Sequence, residues 1–283
     1  MRICVVGCGA IGGIFAAQLA RTTEVWAYDV SADHVAAIER DGLRVGDDVV
    51  RIHARTDPGA IPTCDLGLVA TKATFTEAAI KATAHVFAGA AVCSVQNGIG
   101  SEEVLARHVP RVIRGVTMVS GRLVAPGVIQ RDAPGTTWIG PFEPQPARPD
   151  EIAALAGATG AVALEDARGA QWTKLLFNAS TNPLAALTGL THGELCDRPD
   201  LRALVSALIA EGRAVADAQG ITLDDDPEEM VTRAARENRA HKPSMLQDVL
   251  ARRPTEVDAL NGAIDAPLHA AIAALIHGLE ASW

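Results

Sequence analysis

The sequence lacks several features at once. It contains no unbroken apolar run of about 18 residues, so no transmembrane helix is expected. Positive charge is in deficit: 25 Lys and Arg stand against 34 Asp and Glu, a net charge of −9. That balance argues against nucleic acid or a membrane surface as a partner. There is no C-x-x-C pair, and the five cysteines (Cys4, Cys8, Cys64, Cys93 and Cys196) are scattered and odd in number. A disulfide framework and a zinc site are therefore not expected, no metal ligands stand out, and the cysteines read as buried free thiols of a cytoplasmic protein. No internal repeat or low-complexity tract is visible. The apolar N-terminus runs straight into a glycine turn, unlike a signal peptide. What remains is an ordinary globular composition, 48% hydrophobic and 21% charged over 283 residues. It suffices for one large or two modest domains with ample core.

The first thirty residues carry the strongest pattern. Met1 to Val6 reads as an apolar strand, Gly7-Cys8-Gly9-Ala10-Ile11-Gly12 follows, Ile14 to Ala20 is helical, and Val25 to Tyr28 is a second strand ending on Asp29. Alone, G-x-G-x-x-G is a weak signal; between a strand and a helix, with an acid roughly 20 residues on, it is a dinucleotide-binding signature. Gly7 permits the tight turn, Gly9 lets the backbone approach a pyrophosphate, and Gly12 lets helix and strand pack closely. The anion sits at the helix N-terminus, on unpaired N–H groups. Cys8, inside the turn, reads as a small filler.

Asp29 bears on which nucleotide. A carboxylate there accepts from both ribose hydroxyls of NAD, whereas the 2′-phosphate of NADP would set a second anion beside it. Such a pair at 4 Å costs up to ~4 kcal/mol at an effective dielectric near 20. No Arg or Lys follows closely, and Ser31 and His34 are the nearby polar groups. NAD is expected over NADP. Asp29 could equally cap the helix that starts near Ser31.

The first half alternates strand and helix. Short strands at Leu43–Val45 and Val49–Ile52, buried strands at Leu66–Ala70 and Ala91–Val95, a helix over Phe75–Phe87, and strand-like runs at Val112–Val124, Val128–Arg131 and Thr136–Ile139 imply a β-α-β series with an antiparallel addition. Beyond Asp166 the strand signals disappear and helical spacing takes over. The expected fold is an α/β Rossmann-type domain, residues 1–166, followed by an all-α domain, residues 167–283.

Two strand ends carry polar groups, Thr71-Lys72 and Gln96-Asn97-Gly98. Ligands bind outside the carboxyl ends of strands in open α/β sheets, so both should face one crevice; a solvated Lys72 and a turn-forming Asn97 are the plain alternatives. In the second half Lys174, Asn178 and Asn182 recur at i, i+4, i+8 and share one helix face about 12 Å long. An ammonium and two amides need partners if buried, which a polar ligand could supply; a solvated face is the alternative. Pro183 removes the bond to the Ala179 carbonyl and should kink or end a turn.

These motifs, with Lys174-Leu175-Leu176-Phe177-Asn178, Asn182-Pro183-Leu184, Gly193-Glu194-Leu195, Ser244-Met245-Leu246-Gln247-Asp248, Glu256-Val257-Asp258 and Asn261-Gly262, run through nearly the whole length. In them the chain resembles the ketopantoate reductase family. The resemblance implies a Rossmann domain plus a helical domain and NAD(P)H-dependent reduction of a 2-oxo acid, 2-dehydropantoate first. It implies Lys174 as general acid, with Glu256 orienting the new hydroxyl or the lysine. Asn97, Asn178, Asn182 and Ser244 would hold substrate, and Lys72 and Asn97 would stand near the nicotinamide. Without the resemblance, Ser244 reads as a helix N-cap and Glu256 as a first-turn acid.

Three departures stand out. Asp29 replaces the basic residue usual in NADPH-using members. His192 replaces the Asn that often precedes Gly-Glu-Leu, changing a substrate contact. The segment from Asn261 to Pro267 is shorter than usual. The expected partner is a small 2-oxo acid, and a homodimer is compatible. A related dehydrogenase for another 2-oxo or 2-hydroxy acid and a non-catalytic NAD sensor are the competing readings.

Overall fold

The computed structural model describes residues 1–283, which divide into two compact units. The first holds Met1–Gln96 and Ser101–Ala167; the second holds Asn97–Gly100 and Arg168–Trp283.

In the first unit the strands are β1 (Arg2–Val6), β2 (Glu24–Tyr28), β3 (Leu43–Val45), β4 (Asp48–Val50), β5 (His53–Arg55), β6 (Leu66–Val69), β7 (Ala91–Ser94), β8 (Arg111–Thr117), β9 (Ser120–Ala125), β10 (Val128–Ala133), β11 (Thr137–Pro141) and β12 (Val162–Ala163). The helices are α1 (Ala10–Leu19), α2 (Ala32–Asp41), α3 (Thr76–Thr83), α4 (Ser101–Ala106) and α5 (Pro149–Thr159). Eight strands form one sheet in the order β12-β11-β8-β7-β6-β1-β2-β5. All its pairs are parallel except β8 with β11. β6 and β7 are buried at every residue, as a parallel strand covered on both faces requires. Period-two alternation splits the core. Ile3, Val5 and Leu68 pack with Phe15 on one face, while Cys4, Val6 and Val69 pack with Phe87 on the other. Each fully buried aliphatic or aromatic side chain contributes roughly 1.5–3 kcal/mol. β1 has β2 on one side and β6 on the other, so the strand order reverses at its carboxyl end, where nucleotides bind in such sheets.

The run Val112–Val124, expected as one strand, breaks at Met118–Val119 into β8 of the large sheet and β9 of a four-stranded sheet ordered β4-β3-β10-β9. Thr117 Oγ1 accepts from the Val119 N–H at 3.2 Å, and a Cβ on Gly135 would lie 2.3 Å from the Met118 carbonyl carbon. Apolar alternation cannot register such a change of sheet. The expected Val49–Ile52 strand is β4, in the small sheet, and β5 adds a separate edge to the large one. The helix expected over Phe75–Phe87 is α3 flanked by 3₁₀ turns at Ala73–Phe75 and Ala84–Phe87.

The second unit is helical: α6 (Arg168–Thr188), α7 (His192–Cys196), α8 (Pro199–Ala218), α9 (Pro227–Glu237), α10 (Ser244–Leu250), α11 (Val257–Leu260) and α12 (Pro267–Glu280). α6 is its axis, packed by α8, α9, α10 and α12. Leu175, Leu176 and Ala179 join Met245, Leu260 and Ile276 in one cluster, and Leu184 and Ala185 join Val205, Leu208 and Leu246 in another. Pro183 neither ends α6 nor leaves its carbonyl bare. The Ala179 oxygen accepts from Asn261 Nδ2 at 2.9 Å, which replaces the missing backbone donor. No helix is long and apolar enough to cross a membrane. No three His, Cys, Asp or Glu side chains gather as a metal site.

Candidate active site

The glycine turn is a cradle made of backbone. Gly7 sits at φ +84°, and a Cβ there would press on Thr71. On Gly12 a Cβ would sit 1.9 Å from the Gly7 carbonyl oxygen, so only glycine lets α1 approach β1. At Gly9 a Cβ would meet nothing within 4 Å, so the approach to the turn is open there. Gly9 is the N-cap of α1, no side chain caps it, and the first turn through Ala10, Ile11 and Gly12 carries no acid. A ten-residue helix with bare N–H groups and open space at its start fits a pyrophosphate. Cys8 contributes its backbone; its side chain is buried, and burial drives the thiol up to about 12.

Asp29 closes β2 and is fixed by backbone. Its Oδ2 accepts from the Cys8 N–H and its Oδ1 from the Ser31 N–H, both at 2.9 Å. Ser31, not Asp29, caps α2, accepting from the His34 N–H. His34 is no nucleotide contact either, because its ring is buried and both nitrogens are engaged. The cation that β5 brings alongside β2, Arg55, pairs with Glu39 at 2.8 Å.

At the end of β6, Lys72 has extended backbone and opens a 3₁₀ turn. Gln96, after β7, ties these strand ends together: its Nε2 donates to the Thr71 carbonyl at 2.9 Å and to Thr76 Oγ1 at 2.7 Å. Asn97 then leaves with the second unit. The reason is Gly98. At φ +84° it lies so close to α11 that a Cβ would fall 2.2 Å from the Ala259 carbonyl oxygen, and the Ile99 N–H donates to that oxygen at 3.0 Å.

This puts Asn97 against α6. Lys174 Nζ donates to Asn97 Oδ1 at 2.7 Å, and Asn97 Nδ2 reaches Glu256 Oε2 at 3.4 Å. Lys174, Asn97 and Glu256 therefore form one polar chain. Burial pulls the Lys174 ammonium down to about 8, and the Glu256 charge acts in the opposite direction. Glu256 is the N-cap residue of α11, and its side chain makes no capping hydrogen bond to the helix.

Asn178 and Asn182 follow Lys174 along α6, both buried. Ser244 is the first residue of α10, which packs on α6, and Pro243 rather than Ser244 holds the N-cap position; Ser244 is exposed. His192 opens α7, stacked between Phe177 and His241 with ring centroids 5.6 Å from each. Burial and the neighbouring His241 pull its pKa down to about 4, so the imidazole is neutral. Asn261, His34 and Gln96 act as supports through partners tens of residues away, of which sequence spacing carries no trace.

Known proteins share this arrangement of chain. Residues 3–144 match the family described as Ketopantoate reductase PanE/ApbA, and residues 166–280 its C-terminal counterpart. The 2-dehydropantoate 2-reductase of Halobacterium salinarum is 31% identical over 277 residues, covering 93% of this chain and 91% of that protein. The crystal structure of a PanE/ApbA family ketopantoate reductase from Ralstonia eutropha JMP134 superposes with a TM-score of 0.89 at 30% identity, covering 100% and 99%. A complex of D-mandelate dehydrogenase with NADH gives a TM-score of 0.87 at 25% identity, again covering 100% and 99%. With both halves matched and sequence identity sustained over nearly the full length, the chain belongs to the ketopantoate reductase family.

Proposed function

We propose that this NAD(P)-dependent oxidoreductase reduces 2-dehydropantoate to pantoate and draws on NADH in preference to NADPH. Its activity as a 2-oxo acid reductase follows from the family; the particular acid and the nucleotide preference are our reading. The observation that carries the reading is the Lys174 ammonium, held at 2.7 Å by Asn97, with the Glu256 charge opposing the loss of its proton.

The residues present fit a dinucleotide. Gly7 to Gly12 would hold the pyrophosphate and Asp29 the ribose, and Lys72 and Asn97 are assigned to the nicotinamide. When bound, the reduced nicotinamide supplies a hydride to the 2-oxo carbon. Lys174 then gives its proton to the oxygen that becomes the hydroxyl, and its positive charge stabilises that oxygen as negative charge develops. An ammonium has three donors, so one bond to Asn97 leaves others for substrate. Glu256 holds the other end of Asn97 and favours the protonated lysine. Asn178, Asn182 and Ser244 take the substrate's carboxylate and hydroxyl, with His192 as a neutral partner. In this assignment residues 1–166 hold the nucleotide and residues 167–283 supply the acid and the substrate contacts.

For Asp29, each carboxylate oxygen accepts one backbone N–H and keeps a further lone pair for a ribose hydroxyl. A 2′-phosphate would meet that negative charge, while the Arg55 guanidinium is paired with Glu39. A second reading, reduction of a different 2-oxo acid, is favoured by His192 stacked between Phe177 and His241 where the family pattern has Asn. One experiment separates them: kcat/KM for a panel of 2-oxo acids with each nucleotide. The expected result is 2-dehydropantoate first and NADH ahead of NADPH by at least about tenfold. A better acid would establish the second reading, and a preference for NADPH would refute the role given to Asp29.

A further inference from the structure

One residue of the glycine turn, Cys8, is gripped at both of its backbone polar groups by side chains of the segment that follows β2. The Cys8 N–H donates to Asp29 Oδ2 at 2.9 Å, and the Cys8 carbonyl lies 2.8 Å from His34 Nε2. The other ring nitrogen, Nδ1, receives the Gly127 N–H at 2.9 Å. A backbone N–H can only donate, so Nδ1 carries no proton and Nε2 does. His34 is thus a neutral imidazole in one tautomer, buried, spanning from the glycine turn to the Pro126-Gly127 corner between β9 and β10.

The consequence lies in the next atom along. The Cys8 carbonyl and the Gly9 N–H belong to one planar trans unit and point in opposite directions. Drawing the carbonyl inward onto a buried ring therefore directs the Gly9 N–H away from that interior, at the N-cap of α1, where no side chain caps the helix. We propose that His34 is a positioning residue for the dinucleotide: it keeps the Gly9 N–H aimed at the diphosphate and keeps the Cys8 carbonyl oxygen turned away from that anion. Were this peptide free to rotate, the start of α1 would offer an acceptor in place of a donor. The inference rests on the reading of the glycine turn as the cofactor site.

The test compares two substitutions that each keep one arm of the ring. His34→Gln keeps a donor near the Nε2 position and so the hold on Cys8. His34→Asn keeps an acceptor near Nδ1 for Gly127 and loses Cys8. The readouts are the NADH dissociation constant, by fluorescence titration, and the Tm of the cofactor-free protein. Asn should weaken NADH about tenfold, and Gln should recover most of that loss, while both lower Tm alike. ADP-ribose, which retains the diphosphate, should weaken in parallel. Equal weakening by both variants, or none with Asn, overturns the proposal and leaves His34 a packing residue. Should the Asn variant fail to fold, the wild-type protein still decides: on adding NADH the Gly9 amide resonance should move strongly, and an unmoved Gly9 amide overturns the proposal. Wild-type protein that binds neither NADH nor NADPH would sink the cofactor reading itself, a result distinct from all of these.

Discussion

At the glycine turn the groups offered to a ligand belong to the backbone, and side chains stand behind them: Asp29 on the Cys8 N–H, His34 on the Cys8 carbonyl. On α6 the order is reversed. In the proposed site the groups offered are the side chains of Lys174, Asn178 and Asn182, and what needs support is the helix that carries them. Pro183 interrupts its ladder one residue past the last of these, and Asn261 repairs the gap from outside. A site made of backbone is specified by what residues lack, chiefly a Cβ. A site made of side chains is specified by what they carry, and it depends on a scaffold assembled from distant chain.

That contrast is sharpest where substitutions of similar size have unlike effects. Lys174→Ala should lower kcat by about 10²–10⁴-fold while NADH binds with unchanged affinity in titration, because only the proton donor is gone. Unchanged turnover would end the assignment of Lys174 as the acid. Asn261→Ala should cost about 1–3 kcal/mol in chemical denaturation, since it leaves the Ala179 carbonyl buried without a donor. Its Oδ1 has no partner, so the residue is held there for its NH₂; wild-type stability in the alanine variant would show that the repair is dispensable. Gly9→Ala inverts the pattern. Open space around that position predicts a Tm close to wild type, with an NADH dissociation constant raised about tenfold as the methyl crowds the anion. A drop in Tm with affinity intact would show the turn to be merely structural. The smallest expected effect is on pH. With Lys174 at about 8, kcat/KM for reduction should fall as pH rises through that value and the lysine loses its proton. Glu256 raises the lysine's pKa, so Glu256→Gln should move that limb to lower pH. A limb that stays put would separate Glu256 from the acid.

The sequence displays these regions unequally for the same reason. Gly7 and Gly12 are legible because a positive φ and a close backbone approach force glycine at a fixed spacing, with Gly9 completing the pattern where the turn is open. The Lys174 stripe is legible because helical periodicity puts i and i+4 on one face. The division of Val112–Val124 between two sheets is not, since both halves keep strand-like composition and the contact of Gly135 with Met118 at the break comes from elsewhere in the chain. Nor is the passage of Asn97 to the second unit, which depends on Gly98 lying against Ala259, some 160 residues later in the chain. His34 is hidden in the same way: nothing in its neighbourhood of sequence marks Gly127 as its partner.

The carboxylate of Asp29 has a consequence for anyone wishing to redesign nucleotide choice. The obvious exchange, a neutral or basic residue that welcomes the 2′-phosphate, would also withdraw the acceptor from the Cys8 and Ser31 amides and so loosen the turn and the start of α2 together. If Asp29 sets nucleotide choice as proposed, specificity and loop geometry are coupled through one side chain. A successful switch would require a second change that restores an acceptor beneath Cys8, and single substitutions at this position should trade affinity for selectivity.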